Sequence, residues 1–464
     1  MTDQNTNIAD STDEKEHTIG PTDSDIHDIE DALHSEHDDA VIEAMGELSP
    51  ADAAEVLTKL SDEDCQKILE DHSAVLDPQV YSELDPEFRR SMLTEMGAKG
   101  VAAIIAELDS DDALDLIETL DEDYQQEIIV QLSAKTRMTL EEGLSFPEDS
   151  AGRLMQREVV AIPEFWTVGK TIDYLRAAAD ELPRDFYDIF VISPSYHVVG
   201  EIPLSRILRS VRTAKLSDLS LEDVHQIPAT LDQEQVAQLF RRENLTSAPV
   251  VDDEERLIGV ITIDDVVDVI DEEAQEDFLK LAGLEQGDLY RAILSTSSSR
   301  FRWLFVNLLT AILASAVIAM FDATIQQIVA LAVLMPIVAS MGGNAGTQAL
   351  TVAVRALATR EISNANALRI IWKETIVGVI NGAAFAVIIG LTTWLWFGSV
   401  MLGAIIASAM ILNLIVAGLC GAGIPVMLYK MGSDPAVSST VFLTTITDVV
   451  GFFAFLGLAA LFLL

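Results

Sequence analysis

The chain has 464 residues, with 29 Lys and Arg against 74 Asp and Glu. Residues 301–464 hold only six of the basic and five of the acidic residues, so residues 1–300 carry 23 against 69. A strongly negative soluble part joined to an apolar part excludes a single globular domain, and its field repels nucleic acid and attracts cations.

Residues 1–40 are polar, acidic and poor in large apolar side chains, which predicts a disordered tail. His27, His34 and His37 lie there among carboxylates as a solvated set. No charged segment followed by a short apolar run opens the sequence, so no cleavable signal peptide is expected. Cys65 and Cys420 fall in the acidic and apolar parts respectively, which excludes a disulfide between them and fits a cytosolic soluble part.

Residues 41–145 carry a twelve-residue period. Leu48, Leu60, Leu84, Met96, Leu108, Leu120 and Leu132 mark one phase, broken only by His72; Leu57, Leu69, Tyr81, Leu93, Ile105, Ile117 and Ile129 mark another. Each first-phase residue precedes a favoured helix N-cap: Ser49, Ser61, Ser73, Asp85, Gly97, Asp109, Asp121 or Ser133. Pro50 and Pro86 then take the first helical position. One short capped helix per unit predicts a stacked, superhelical array.

Residues 146–273 change character. Val159–Ile162 and Ile189–Ile192 read as strands around a helix. A second copy follows with Ile227–Thr230, a helix over Asp232–Arg242, Ser247–Val251 and Leu257–Val267. Two strand–helix–strand–strand–helix copies predict paired α/β modules. Ser247-Ala248-Pro249-Val250-Val251, then Gly259-Val260-Ile261-Thr262-Ile263-Asp264-Asp265, resembles the regulatory cystathionine-β-synthase (CBS) domain. Asp264–Asp277 then crowds eight carboxylates onto one helix, an arrangement that repels itself without a cation. Residues 274–300 are expected to form a connecting helix into the membrane part.

In residues 301–464, the charge-free runs Trp303–Phe321, Ala323–Val354, Thr375–Tyr429 and the last run from Ala436 predict five spans, with the long run broken at Phe397-Gly398-Ser399. Arg291, Arg300 and Arg302, then Arg355, Arg360, Arg369 and Lys373, then Lys430 occupy alternate connections. The positive-inside rule therefore places the acidic part in the cytosol and the C-terminus outside. Two features inside the spans carry chemistry. Pro336 precedes Gly342-Gly343-Asn344-Ala345-Gly346-Thr347-Gln348, whose amides and hydroxyl exceed what close helix packing requires. Asp448 stands mid-span with no Lys or Arg in its run, which points to a cation site.

With these pieces in order, the chain resembles the MgtE family of Mg²⁺ channels. The stretches that carry the resemblance are Pro147-Glu148-Asp149-Ser150-Ala151-Gly152-Arg153-Leu154-Met155, Gly342–Gln348, Asp434-Pro435-Ala436 and Thr447-Asp448-Val449-Val450-Gly451. It implies a homodimer in the inner or plasma membrane, with a helical N domain, a CBS pair, a connecting plug helix and a five-helix pore domain. It further implies Mg²⁺ uptake shut off by cytosolic Mg²⁺. Asp448 then corresponds to the pore carboxylate, with Asn344, Thr347 and Gln348 beside it. Asp232, Glu234, Asp265, Asp268, Glu273, Glu276, Asp277 and Asp434 correspond to sensing ligands, with Asp111 and Asp115 as N-domain partners. Asn244 and Gln79 stand where acidic residues are expected. Some members also bind ATP at the CBS pair. The rival readings are a transporter of Co²⁺, Mn²⁺ or Ca²⁺, and a CBS-containing membrane sensor. No nucleophile–base set or phosphate-binding glycine loop is present, so an enzyme is not expected.

Overall fold

The computed structural model describes residues 20–35, 38–71, 76–179, 182–183, 185–221, 223–284, 293–362, 365–435 and 439–464. The chain divides into two compact units, Met1–Asp271 and Glu272–Leu464.

Among its described residues the first unit opens with nine helices: α1 (Asp23–His34), α2 (Asp38–Gly46), α3 (Pro50–Lys59), α4 (Asp62–Asp71), α5 (Gln79–Ser82), α6 (Pro86–Ile105), α7 (Ser110–Glu118), α8 (Glu122–Ile129) and α9 (Ala134–Leu144). The twelve-residue units are visible in their caps. Ser49, Asp85 and Ser133 accept first-turn amides, and Pro50 and Pro86 open their helices. Gly97 keeps the rhythm inside α6, where its φ of 72° interrupts the helical backbone; a left-handed residue is cheapest as glycine. Ser73 lies outside the described residues. All seven second-phase residues are buried, whereas Leu48, Met96 and Leu108 of the first phase only pack against the rim of that core. The second phase is therefore the energetic axis of the array. Ile117→Asp is expected to destabilise the first unit by at least ~3 kcal/mol, through a lost apolar contact and a buried charge. Leu108→Asp should cost clearly less. Urea midpoints of the two variants compare them directly.

The expected disordered tail requires correction over its second half. Residues 23–34 form α1, whose Ile26, Ile29 and Leu33 are buried in the same core as Val56, Leu57 and Ile68. Thr22 and Asp25 close a capping box at its start. His34 Nε2 lies 3.5 Å from the buried Asp64 Oδ1, and His27 faces Glu30 and Asp31. Average composition concealed the helix because its three apolar residues are spaced three and four apart among acids. Residues 1–19 and His37 lie outside the described residues.

Two small sheets follow α10 (Ala151–Leu154). The first module holds β1 (Ala161–Pro163), α11 (Val168–Ala177), β2 (Asp188–Ile192), β3 (Val198–Pro203) and α12 (Leu204–Arg209). The second holds β4 (Ile227–Pro228), α13 (Gln233–Glu243), β5 (Ser247–Val251), β6 (Leu257–Thr262) and the start of α14 (Ile263–Ala282). In both, the first strand pairs parallel with the second and the third pairs antiparallel. The modules share a core of Phe190, Ile192, Val198, Val251, Leu257 and Val260. Buried Asp188 also accepts Thr246 Oγ1 at 3.0 Å and Ser247 Oγ at 2.7 Å. The helical array joins this pair through Arg153, which contacts Glu118 and the carbonyls of Leu144 and Phe146, and through Ser110, whose Oγ donates to Glu158 at 2.7 Å. The expected boundary at 274 falls inside α14, which begins at Ile263 and reaches Ala282.

Among its described residues the second unit contains five helices long and apolar enough to cross a membrane: α15 (Ile293–Ala319), then, after the short α16 (Asp322–Gln327), α17 (Ala330–Ala358), α18 (Ala367–Phe397), α19 (Val400–Lys430) and α20 (Ser439–Phe462). Arg291 lies outside the described residues. The break between α18 and α19 falls where the sequence places it: Gly398 turns the chain at φ 67° and Ser399 caps α19. α18 and α19 then pack backbone to backbone. A Cβ on Gly378 would lie 2.4 Å from the Leu414 carbonyl oxygen, and one on Gly418 2.5 Å from that of Glu374.

Candidate cation sites

The start of α7 and the start of α14 bring carboxylates together within the first unit. Burial raises Asp111 well above the ordinary carboxylate range, with Asp265 and Asp112 adding repulsion. Asp112 is pushed up to about 6 by burial and by Asp109, Asp115 and Glu83. Asp265 is pushed up to about 7 by burial, with Asp264 and Asp112 adding repulsion, although the Thr262 hydroxyl donates to it at 2.8 Å. Burial likewise raises Asp268, beside Asp264 and Asp115, and Glu83, beside Asp268. Buried Arg89 donates to Asp115 at 2.6 Å. Among the described residues no group of three or more His, Cys, Asp or Glu side chains converges closely enough to hold a metal ion outright. Among the described residues the cluster sets like charges close together, with Arg89 as a fixed counter-charge at Asp115.

That repulsion has a measurable sign. Carboxyls whose folded pKa lies above the unfolded value bind protons more tightly when folded. Stability of this unit therefore falls as pH rises from near 3.8 through about 6 and 7. Without divalent cations, the first unit should resist heat and protease better at pH 5.5 than at pH 7.5, by several degrees in midpoint. Added Mg²⁺ should close the gap at pH 7.5. Equal midpoints at both pH values would mean that these carboxyls ionise without strain.

Further along α14, Glu273 and Asp277 are half-buried. Lys280 joins two more candidates, contacting Glu276 and lying 2.9 Å from Asp434. Burial opposes the Lys280 charge, but its bonds to both carboxylates hold its pKa above the ordinary range. Asp232 serves α13 as its N-cap, accepting the amides of Glu234 and Gln235, and Glu234 accepts Gln238 Nε2 at 3.0 Å. The two departures have local explanations. Asn244 closes α13 in the left-handed region at φ 55°, where asparagine is tolerated, and Gln79 opens α5 with its amide donating to Asp77.

In the second unit, Asn344, Thr347 and Gln348 are exposed on α17, with Thr347 Oγ1 donating to Gly343 O at 2.9 Å. Asp448 is half-buried on α20. The sequence reading passed over three residues here. Lys280 is the sole basic residue from 257 to 290. Glu374 on α18 keeps only 11% of its side chain exposed. Asn413 is fully buried mid-way along α19. Their signals were a lone cation among acids, a carboxylate at the edge of an apolar run and an amide within one.

Three family models match: a divalent cation transporter domain over residues 335–458, the MgtE intracellular N domain over 48–149 and a CBS domain over 216–272. The magnesium transporter MgtE of Bacillus subtilis is 30% identical over 420 residues, covering 90% of this chain and 93% of that one. The chain belongs to the MgtE family of divalent cation transporters. The MgtE of Thermus thermophilus is 30% identical over 94% of this chain and 98% of its own length. Among solved structures, the soluble part of a magnesium transporter aligns over 54% of this chain and 98% of its own, at 26% identity and a TM-score of 0.48. The cytosolic domain of the Mg²⁺ channel MgtE in complex with ATP aligns over 53% and 99%, at 29% identity and a TM-score of 0.49. MgtE membership accounts for the order of helical array, CBS pair and five apolar helices.

Proposed function

We propose that this MgtE-family chain is a Mg²⁺-selective channel for magnesium uptake, closed from the cytosol by the ion it admits. The observation that carries the regulatory half is the repelling carboxylate set of Asp111, Asp112, Asp265 and Asp268, an arrangement a divalent cation relieves. The first unit is placed in the cytosol, since Arg300 and Arg302, then Arg355, Arg360, Arg369 and Lys373, then Lys430 mark alternate connections. Two copies form the pore, and paired Asp448 carboxylates hold Mg²⁺ through its water shell, because this ion dehydrates reluctantly. Asn344, Thr347 and Gln348 supply neutral oxygens along α17.

In this reading Asp111, Asp265 and Asp268 bind regulatory ions in the closed state and Glu273, Glu276, Asp277 and Asp434 bind others, while Arg89 holds Asp115 and Asp232 caps α13. Swinging a gate from 1:99 to 99:1 takes about 5.5 kcal/mol. A closed-state site at ten times its dissociation constant supplies ~1.4 kcal/mol, so about four such sites suffice. ATP is a second ligand to test at the CBS pair. The cleft lined by Tyr187, Asp188, Ser247 and Thr262 holds about 10 Å³, so a nucleotide there requires its walls to part.

Proteoliposome flux with Mg²⁺, Ca²⁺, Mn²⁺ and Co²⁺ tests the proposal. Mg²⁺ entry that halts as Mg²⁺ on the first unit's side rises supports it. Equal flux of all four ions, or none, overturns it.

A further inference from the structure

Asn413 is a polar side chain with no exposure at the centre of an apolar helix. Its Nδ2 donates to the Val338 carbonyl of α17 at 2.8 Å, and its Oδ1, also buried, has no hydrogen-bond partner among the described residues. Since the atom facing a carbonyl must be the N–H₂ group, the orphan is an acceptor. Two glycines make room for this amide. A Cβ on Gly342 of α17 would fall 2.2 Å from Nδ2, and one on Gly451 of α20 would fall 2.8 Å from it. Three helices thus meet at one carboxamide, where Leu would fill the space without a stranded acceptor. Gly342 opens the Gly342–Gln348 segment, and Gly451 follows Asp448 by one helical turn. Val338 O also lies one turn before Gly342, two residues past Pro336, which lacks the amide that would bond the preceding turn.

We propose that Asn413 is a positioning residue for ion passage, setting the spacing and register of α17 against α20 so that the polar segment and Asp448 act together. The inference rests on the transport reading above. Its orphan oxygen separates this role from simple packing: an apolar residue of similar volume removes the hydrogen bond and the unsatisfied acceptor together, so stability need not fall.

The experiment compares wild type, Asn413→Leu, Gly342→Ala and the double variant, full length. Each is measured for its unfolding midpoint in detergent and for Mg²⁺ flux and Mg²⁺:Ca²⁺ selectivity per folded protein in liposomes. Asn413→Leu is expected to unfold at or above the wild-type temperature while losing flux or selectivity by about tenfold. Gly342→Ala, whose methyl displaces the amide, should do the same, and the double variant should lose little more. Wild-type flux and selectivity in folded Asn413→Leu, or losses that only track a falling midpoint, overturn the inference and leave the transport reading standing. A wild-type protein that moves no Mg²⁺ overturns both.

Discussion

Asp448→Asn should leave a folded protein that no longer discriminates for Mg²⁺, with uptake at low external Mg²⁺ reduced at least ~tenfold. The carboxylate stands within α20, and no Lys or Arg occurs in that helix to neutralise it. An ionised group at that depth costs a few kcal/mol at least. Asparagine has nearly the same shape without the charge, so the unfolding midpoint should hold or rise while binding falls. In a two-fold pore the change removes two charges from one site, which is why the effect is large. Flux under competition by Ca²⁺ and Co²⁺ is the measurement; unchanged uptake and unchanged competition would remove Asp448 from the path.

Asp265→Asn combined with Glu276→Gln should give a channel that stays open in millimolar Mg²⁺. The two substitutions act at either end of α14. Asp265 sits among like charges, and Glu276 shares Lys280 with Asp434. Neutralising them removes ligands that a hard cation needs and also some of the repulsion it relieves. If ligand loss dominates, closure shifts to higher Mg²⁺. If relief of repulsion dominates, the same protein closes in EDTA. The open outcome is expected if, as proposed, the bias comes from several weak sites of ~1.4 kcal/mol each, of which two are lost together. Closure in EDTA would replace an ion-bridged switch with one driven by charge alone.

The helical array was readable because its period is written in cap chemistry: Ser49, Asp85 and Ser133 mark helix starts that no packing context overrides. The strands were readable from runs such as Ser247–Val251, every residue of which is buried. α1 was lost because averaged composition is blind to Ile26, Ile29 and Leu33 falling on one face. The candidate site was half legible. Asp265, Asp268 and Asp448 announce themselves as charges in the wrong place. Arg89, which fixes Asp115, lies elsewhere in the sequence and comes near only on folding. Asn413 was missed for a different reason: an amide inside an apolar run carries weight only once Gly342 and Gly451 are found beside it.

The glycine-lined contact between α18 and α19, closed by the Gly398–Ser399 turn, bears on biogenesis. Two 31-residue helices joined by two residues and packed through their own backbones can leave the translocation machinery as a ready-made hairpin. They are synthesised before α20, because a chain is made from its N-terminus. When the costly Asp448 helix arrives, the surface that accepts it already exists, with Asn413 at its centre. Loosening the hairpin, as with Gly378→Leu, would then appear first as failed insertion of the last helix and lost protein yield, before any change in conductance.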